Sequence, residues 1–88
     1  MQAHVFVWLK PGVLDPQGEA VKNALHSLGH HDVLRMRIGK VFDIDIDVDD
    51  VKLAEASAGR MAQDLLANPV MENFSVEVLA ATESKESA

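Results

Sequence analysis

The sequence predicts an α+β domain with its elements in the order β-α-β-β-α-β, both helices lying on one face of a mainly antiparallel, ferredoxin-related sheet. Three observations predict it. Four short runs, at 3–9, 33–38, 41–48 and 74–78, are rich in β-branched, aliphatic and aromatic residues. Two longer runs repeat apolar residues at helical spacing, and each follows an aspartate, at Asp15-Pro16 and at Asp49-Asp50. The chain has only 88 residues, enough for a single core, which we place in residues 1–79, with 80–88 expected to be a disordered polar tail.

The first strand is expected from Ala3 to Leu9. Val5 and Val7 share one register and His4, Phe6 and Trp8 the other, so both faces are apolar. One can rest on the helices; the other exposes Phe6 and Trp8 and needs a cover. Pro11-Gly12 ends this strand. Asp15 is a helix N-cap and Pro16 a first helical residue, whose missing N–H costs nothing there. Val21, Ala24, Leu25 and Leu28 form the stripe of a helix over Pro16–Leu28, closed by Gly29. Gly18 in its first turn is a poor helix former by about 1 kcal/mol, which points to a close approach to its backbone.

The next two runs, Val33–Ile38 and Val41–Val48, flank Gly39-Lys40. Leu34, Met36, Ile38, Phe42, Ile44, Ile46 and Val48 are all even-numbered, whereas a two-residue hairpin would reverse the register of the second strand. Either a three-residue turn joins two strands, or one long strand bends at Gly39 and serves two sheets, which requires a second chain. Asp49-Asp50 caps a helix to about Ala67, with Ala54, Ala58, Met61 and Leu65 inward. Asn68-Pro69 stops it. Phe74, Val76 and Val78 alternate with polar residues in the last strand.

Composition excludes several classes of function. Acidic residues number 14 against 8 basic ones, and five aspartates fall within 43–50, so the −6 net charge belongs almost wholly to one segment. A nucleic-acid or anionic-membrane surface would need the opposite sign, with stacking aromatics, and there are only one Trp and three Phe. There is no cysteine for a disulfide, a thiolate metal site or a nucleophile. With no basic, apolar leader after Met1 and no long apolar run, we expect a soluble cytoplasmic protein. A domain this small buries only about 60–65% of its unfolded surface, which leaves little for a deep catalytic cleft.

Residues that could carry chemistry do not assemble into a known pattern. Asp43, Asp45 and Asp47 open like a calcium loop, but Val48 stands where glycine is needed and Ala54 where a bidentate glutamate is needed. A solvated strand face that discourages edge-to-edge sticking explains them better. His26, His30 and His31 surround a helix C-terminus, where positive charge is favourable, and His4 has no nucleophile or acid at catalytic spacing. No metal site and no catalytic residue is expected. Lys10, Arg37 and Lys40 form a cationic cluster only if the first strand's end meets the Gly39 turn.

One stretch is more specific. Leu9-Lys10-Pro11-Gly12-Val13-Leu14-Asp15-Pro16-Gln17-Gly18 resembles the signature of the PurS family, the small subunit of phosphoribosylformylglycinamidine synthase. Leu25–Gly29, Arg37-Ile38-Gly39-Lys40 and Leu66-Ala67-Asn68-Pro69-Val70-Met71-Glu72 match in the same order. Departures are Met71 for isoleucine, Phe74 for tyrosine and the His30-His31 pair. The resemblance implies a non-catalytic subunit that binds no cofactor itself. In such a complex a glutaminase subunit releases ammonia, and a large synthetase subunit uses ATP and Mg to activate the amide oxygen that ammonia displaces. The small subunit, a homodimer or tetramer, would bridge the other two and aid ammonia transfer.

On that reading the docking candidates are Lys10, Pro11, Gly12, Asp15, Pro16, Gln17, Gly18, Arg37, Gly39, Lys40, Asn68 and Pro69. Self-association candidates are Phe6, Trp8, Phe42 and Ile44, through sheet faces or edges. Two other classes fit the same element order. A small-molecule-sensing regulatory domain would also dimerise through an apolar sheet face. A phosphatase of the acylphosphatase kind would need an arginine in the loop after the first strand, where this chain has Lys10.

Overall fold

The computed structural model describes residues 1–79, so the polar tail expected at 80–88 lies outside the described residues. Strand β1 (Gln2–Leu9) is followed by helix α1 (Pro16–Ser27), strand β2 (Gly39–Asp45), helix α2 (Val51–Met61) with a π-helical turn at Ala62–Leu66, and strand β3 (Glu72–Leu79). The three strands form one antiparallel sheet in the order β2-β1-β3. The α+β class therefore stands.

β1 is central because it is apolar on alternate residues and long enough to pair on both edges. Val5 lies opposite Phe42 on one side and Val76 on the other, and Ala3 lies between Ile44 and Val78. Paired residues share a face, so this row looks onto α2. There Ala3, Val5, Val7, Ala54, Ala58 and Ala62 are almost wholly buried. The alanines let the helix backbone sit close to the sheet, which makes the core thin: among the described residues only Val5 and Val7 of the larger side chains are fully enclosed.

The π turn explains one departure from the expected helix stripe. The Ala67 N–H donates to the Ala62 carbonyl five residues back, which inserts an extra residue into the turn. The inward face thus passes from Ala58 to Ala62 and Ala67, and Leu65, expected inside, is 83% exposed.

The opposite face of the sheet carries His4, Phe6 and Trp8 on β1. Phe6 pairs with Val41 and Ser75, and His4 with Asp43 and Glu77. The His4 Nε2 lies 3.5 Å from an Asp43 carboxylate oxygen and its Nδ1 3.6 Å from one of Glu77. Asp43 also accepts a 2.7 Å hydrogen bond from the Gln2 side-chain amide, so part of the aspartate row is tied to β1 rather than merely solvated.

Two expectations are corrected. Val33–Ile38 does not form a sheet strand, and α1 does not lie on the sheet; α2 is the helix that covers it. Both follow from Gly39. A hairpin there would reverse the chain, but Gly39 pairs with Trp8 as the first residue of β2, and positive φ occurs only at Gly12 and Gly29 among the described residues. Residues 33–38 therefore never fold back along β2. Helix α1 goes with them, held where the His26 Nε2–H donates to the Val33 carbonyl at 2.8 Å. Val21, Ala24 and Leu28 of its apolar stripe remain exposed.

Candidate docking surface

The first, third and fourth of the matched stretches meet at one end of the sheet. Lys10-Pro11-Gly12-Val13 closes a turn in which the Val13 N–H donates to the Lys10 carbonyl at 3.1 Å. Proline at its second position and Gly12 at φ 88° in its third are what a type II turn requires. Nothing else crowds Gly12, so Gly12→Ala is expected to cost only the left-handed backbone strain, about 1–2 kcal/mol, in thermal unfolding.

Asp15 and Arg37 hold this turn from inside. One Asp15 carboxylate oxygen accepts from the Gly18 N–H at 2.8 Å and the other from the Ile38 N–H at 2.9 Å. These two bonds, the Ile38 one foremost, with the Arg37 charge in support, hold the Asp15 carboxyl below the ordinary carboxylate range against the opposing effect of burial. The Arg37 guanidinium donates to the carbonyls of Val13 at 3.0 Å and Lys10 at 3.2 Å. A Cβ on Gly18 would lie 2.4 Å from the Met36 carbonyl oxygen, the close approach expected from the sequence.

The third piece is the turn after the π helix. The Lys10 N–H donates to the Met71 carbonyl at 2.8 Å and the Lys10 ammonium to the Pro69 carbonyl at 2.9 Å. Within the turn, the Asn68 side chain accepts from the Val70 N–H at 3.0 Å, and Glu72 accepts from the Asn68 N–H at 2.7 Å. Glu72 also lies 3.9 Å from the Lys40 ammonium. Lys10, Arg37 and Lys40 thus gather at this end, yet each is engaged within the chain, so they do not form an open phosphate cradle. Glu72 was missed as an organiser because its bond to the Asn68 N–H depends on how the chain turns after the π helix, and Lys40 comes near it only in the folded sheet.

Burial sorts the candidates. Asp15 and Gly18 are buried and shape the loop, whereas Pro11, Gly12, Pro16, Gln17, Lys40, Asn68 and Pro69 are exposed around it. A cleft of about 400 Å³ opens beside them, bounded by Lys10, Gln63, Pro69 and Phe74. The self-association candidates divide between the faces: Phe6 and Trp8 stand on the open one, Phe42 and Ile44 on the α2 side.

The sequence profile of PurS, described as phosphoribosylformylglycinamidine (FGAM) synthase, matches residues 2–80. The chain belongs to the PurS family. A relative from Archaeoglobus fulgidus, named phosphoribosylformylglycinamidine synthase subunit PurS, is 43% identical over 76 residues, covering 86% of this chain and 95% of its own. The structure of Bacillus subtilis PurS superposes with a TM-score of 0.77 at 42% identity, over 90% of this chain and 98% of that one. A chain from the PurLQS structure of Thermotoga maritima gives a TM-score of 0.80 at 26% identity, over 89% and 95%. PurS membership makes the chain a small subunit of an enzyme of purine biosynthesis and sets aside the sensor and phosphatase readings. Among the described residues no helix is long and apolar enough to cross a membrane.

Proposed function

We propose that this chain is the non-catalytic bridge of a cytoplasmic, glutamine-dependent synthase, holding a glutaminase subunit beside a large synthetase subunit while associating with its own copies. ATP and Mg belong to the synthetase. The observation that carries the reading is the gathering of three matched stretches, Lys10–Gly18, Arg37–Lys40 and Leu66–Glu72, into one exposed and internally braced end of the sheet. A surface held by side chains bonded to backbone is pre-organised, which lowers the cost of docking.

The chemistry explains why a bridge is worth having. Ammonia released into bulk water is protonated and diffuses away; kept between docked centres with water excluded, it stays a nucleophile. Pro11, Gln17, Lys40 and Pro69 are the residues offered to the larger subunits. Mixing purified glutaminase and synthetase with glutamine, ATP and substrate is expected to give rapid amidine formation only when this chain is added, while ammonia-fed synthesis survives its omission. Equal glutamine-fed rates with and without the chain would overturn the bridging role.

A further inference from the structure

Resting on the reading above that larger subunits dock on this chain, we propose that the outer edge of β3 is a strand-addition site, which takes an extended segment of a larger subunit, apolar at alternate positions and basic between them. β3 ends the sheet on the side away from β2, and no strand among the described residues pairs with its far edge. It runs for 8 residues, longer than the usual strand of about 5–6. Its sequence, Glu72 to Leu79, holds no proline, lysine or arginine, the residues that commonly blunt such an edge.

The hydrogen-bond register decides which groups face outward, because bonded and unbonded pairs alternate along an antiparallel ladder. At one end of β1 the Lys10 N–H donates to the Met71 carbonyl, one step beyond the Leu9–Glu72 pair; at the other the Ile46 N–H donates to the Met1 carbonyl, one step beyond Gln2–Asp45. Even-numbered residues of β1 therefore spend their backbone groups on β3 and odd-numbered ones on β2. On β3 the odd residues Asn73, Ser75 and Glu77 return those bonds, and the N–H and C=O groups of Phe74, Val76 and Val78 point away from the sheet. The Glu72 N–H, one place earlier in the same row, already turns outward to the Asn68 carbonyl. Phe74, Val76 and Val78 place their side chains on the α2 side against the core. At the start of this row lies the cleft of about 400 Å³, lined there by Ala62, Ala67, Pro69 and Phe74, which suits one apolar side chain of an added strand and joins the edge to the docking turn. On the other face the Glu77 side chain is 57% exposed beside His4. β3 carries two glutamates and no base, so a second copy's β3 would set acid beside acid. A lysine or arginine opposite Ser75 or Glu77 makes an opposite-charge cross-strand pair instead, which selects a basic partner segment.

Val76→Pro removes one outward N–H and no ladder bond, a change that edge strands tolerate. The folded variant is expected to bind the larger subunit at least tenfold more weakly, roughly what one lost hydrogen bond costs. Val76→Ala, which keeps the N–H, should stay within about threefold of wild type. Equal affinity of the proline and alanine variants would overturn the backbone pairing. Glu77→Lys should weaken binding by about tenfold at low salt and less at high salt, and tighter binding would show that the incoming segment is not basic. Amide hydrogen exchange on the wild-type chain, alone and with each purified larger subunit, needs no variant to fold. Alone, the amides of Phe74, Val76 and Val78 are expected to exchange about a hundredfold faster than those of Ser75 and Glu77, and in the complex to slow by a similar factor. A complex that forms and leaves them fast would overturn strand addition while the bridging role stands; no complex with either subunit would overturn both. Slow exchange at these amides in the isolated chain would show the edge already covered, as by a second copy, and would also overturn it.

Discussion

Gly18→Ala is expected to lower the thermal midpoint by roughly 10 °C, although alanine is the better helix former. The two effects oppose each other and their sizes decide the sign. Helix propensity would favour alanine by about 1 kcal/mol. Against it, the new methyl would sit 2.4 Å from the Met36 carbonyl oxygen and 2.7 Å from an Asp15 carboxylate oxygen. The first of these is backbone and cannot rotate away. Overpacking of this kind costs about 1–3 kcal/mol or more, and here the top of the range applies. A net loss of about 2 kcal/mol corresponds to roughly 8–16 °C in a domain of this size. Calorimetry or circular dichroism on the isolated chain reads it directly. A midpoint equal to or above wild type would mean that the segment carrying Met36 yields freely, and that Gly18 is not a packing constraint.

Asp15→Asn is expected to be the second large loss, and one that depends on pH. The amide can accept one hydrogen bond through its oxygen, but its NH₂ then faces either the Ile38 or the Gly18 N–H, donor against donor. At pH 7 the midpoint should fall by roughly 5–10 °C, in the range of a lost N-cap in a small domain. The folded-state pKa of Asp15 is depressed. Its carboxylate therefore contributes stability that is fully present above the unfolded value, about 3.9, and is lost as the pH falls through the lower folded value. The gap between wild type and variant should be constant from neutrality to about pH 5 and close progressively below about pH 4. A gap that persists unchanged at pH 2 would show that the charge is not what holds the loop. Because Asp15 ties α1 to Ile38, the same variant should also loosen the exposed rim at Pro11 and Gln17, and glutamine-fed synthesis should fall with it.

Much of this architecture was legible in local patterns. Asp15-Pro16 and Asp50 begin helices as N-caps: the Asp15 carboxylate accepts from the Gly18 N–H and the Asp50 carboxylate from the Leu53 N–H. Gly29 ends the first helix at φ 100°. Three of the four expected strands form, because alternation of apolar residues reports one buried face. The fourth, Val33–Ile38, has the same alternation and yet no ladder. A β pattern states that a segment can bury one side beside a neighbour; it does not state that the neighbour belongs to the same chain. The even register across Gly39 bore on this only in part, since it speaks against a two-residue hairpin but left a three-residue turn open.

The docking end was legible in part. Gly18's close approach and the turn at Pro11-Gly12 follow from residue type, because few residues other than glycine and proline suit those backbones. That Arg37 reaches the carbonyls of Lys10 and Val13, or that Glu72 accepts from Asn68 and meets Lys40, did not. Apart from the short-range Asn68–Glu72 bond, those contacts join residues far apart along the chain, and a lysine or glutamate there reads equally well as solvated charge. The π turn is of the same kind: nothing in Ala62–Leu66 marks the extra residue, so the turn of Leu65 outward appeared only in three dimensions.

The sequence by itself determined the α+β class, the caps and turns, the absence of thiol chemistry and, through its ordered motifs, the family. These depend on interactions within a few residues or on residue identity alone. Only the tertiary structure decided which faces are covered, which charges are already engaged and where α1 lies. Those are questions of long-range geometry. In a chain whose core is little more than two valines and a row of alanines, that geometry is not settled by the apolar pattern, because the pattern offers more surface to bury than one copy uses.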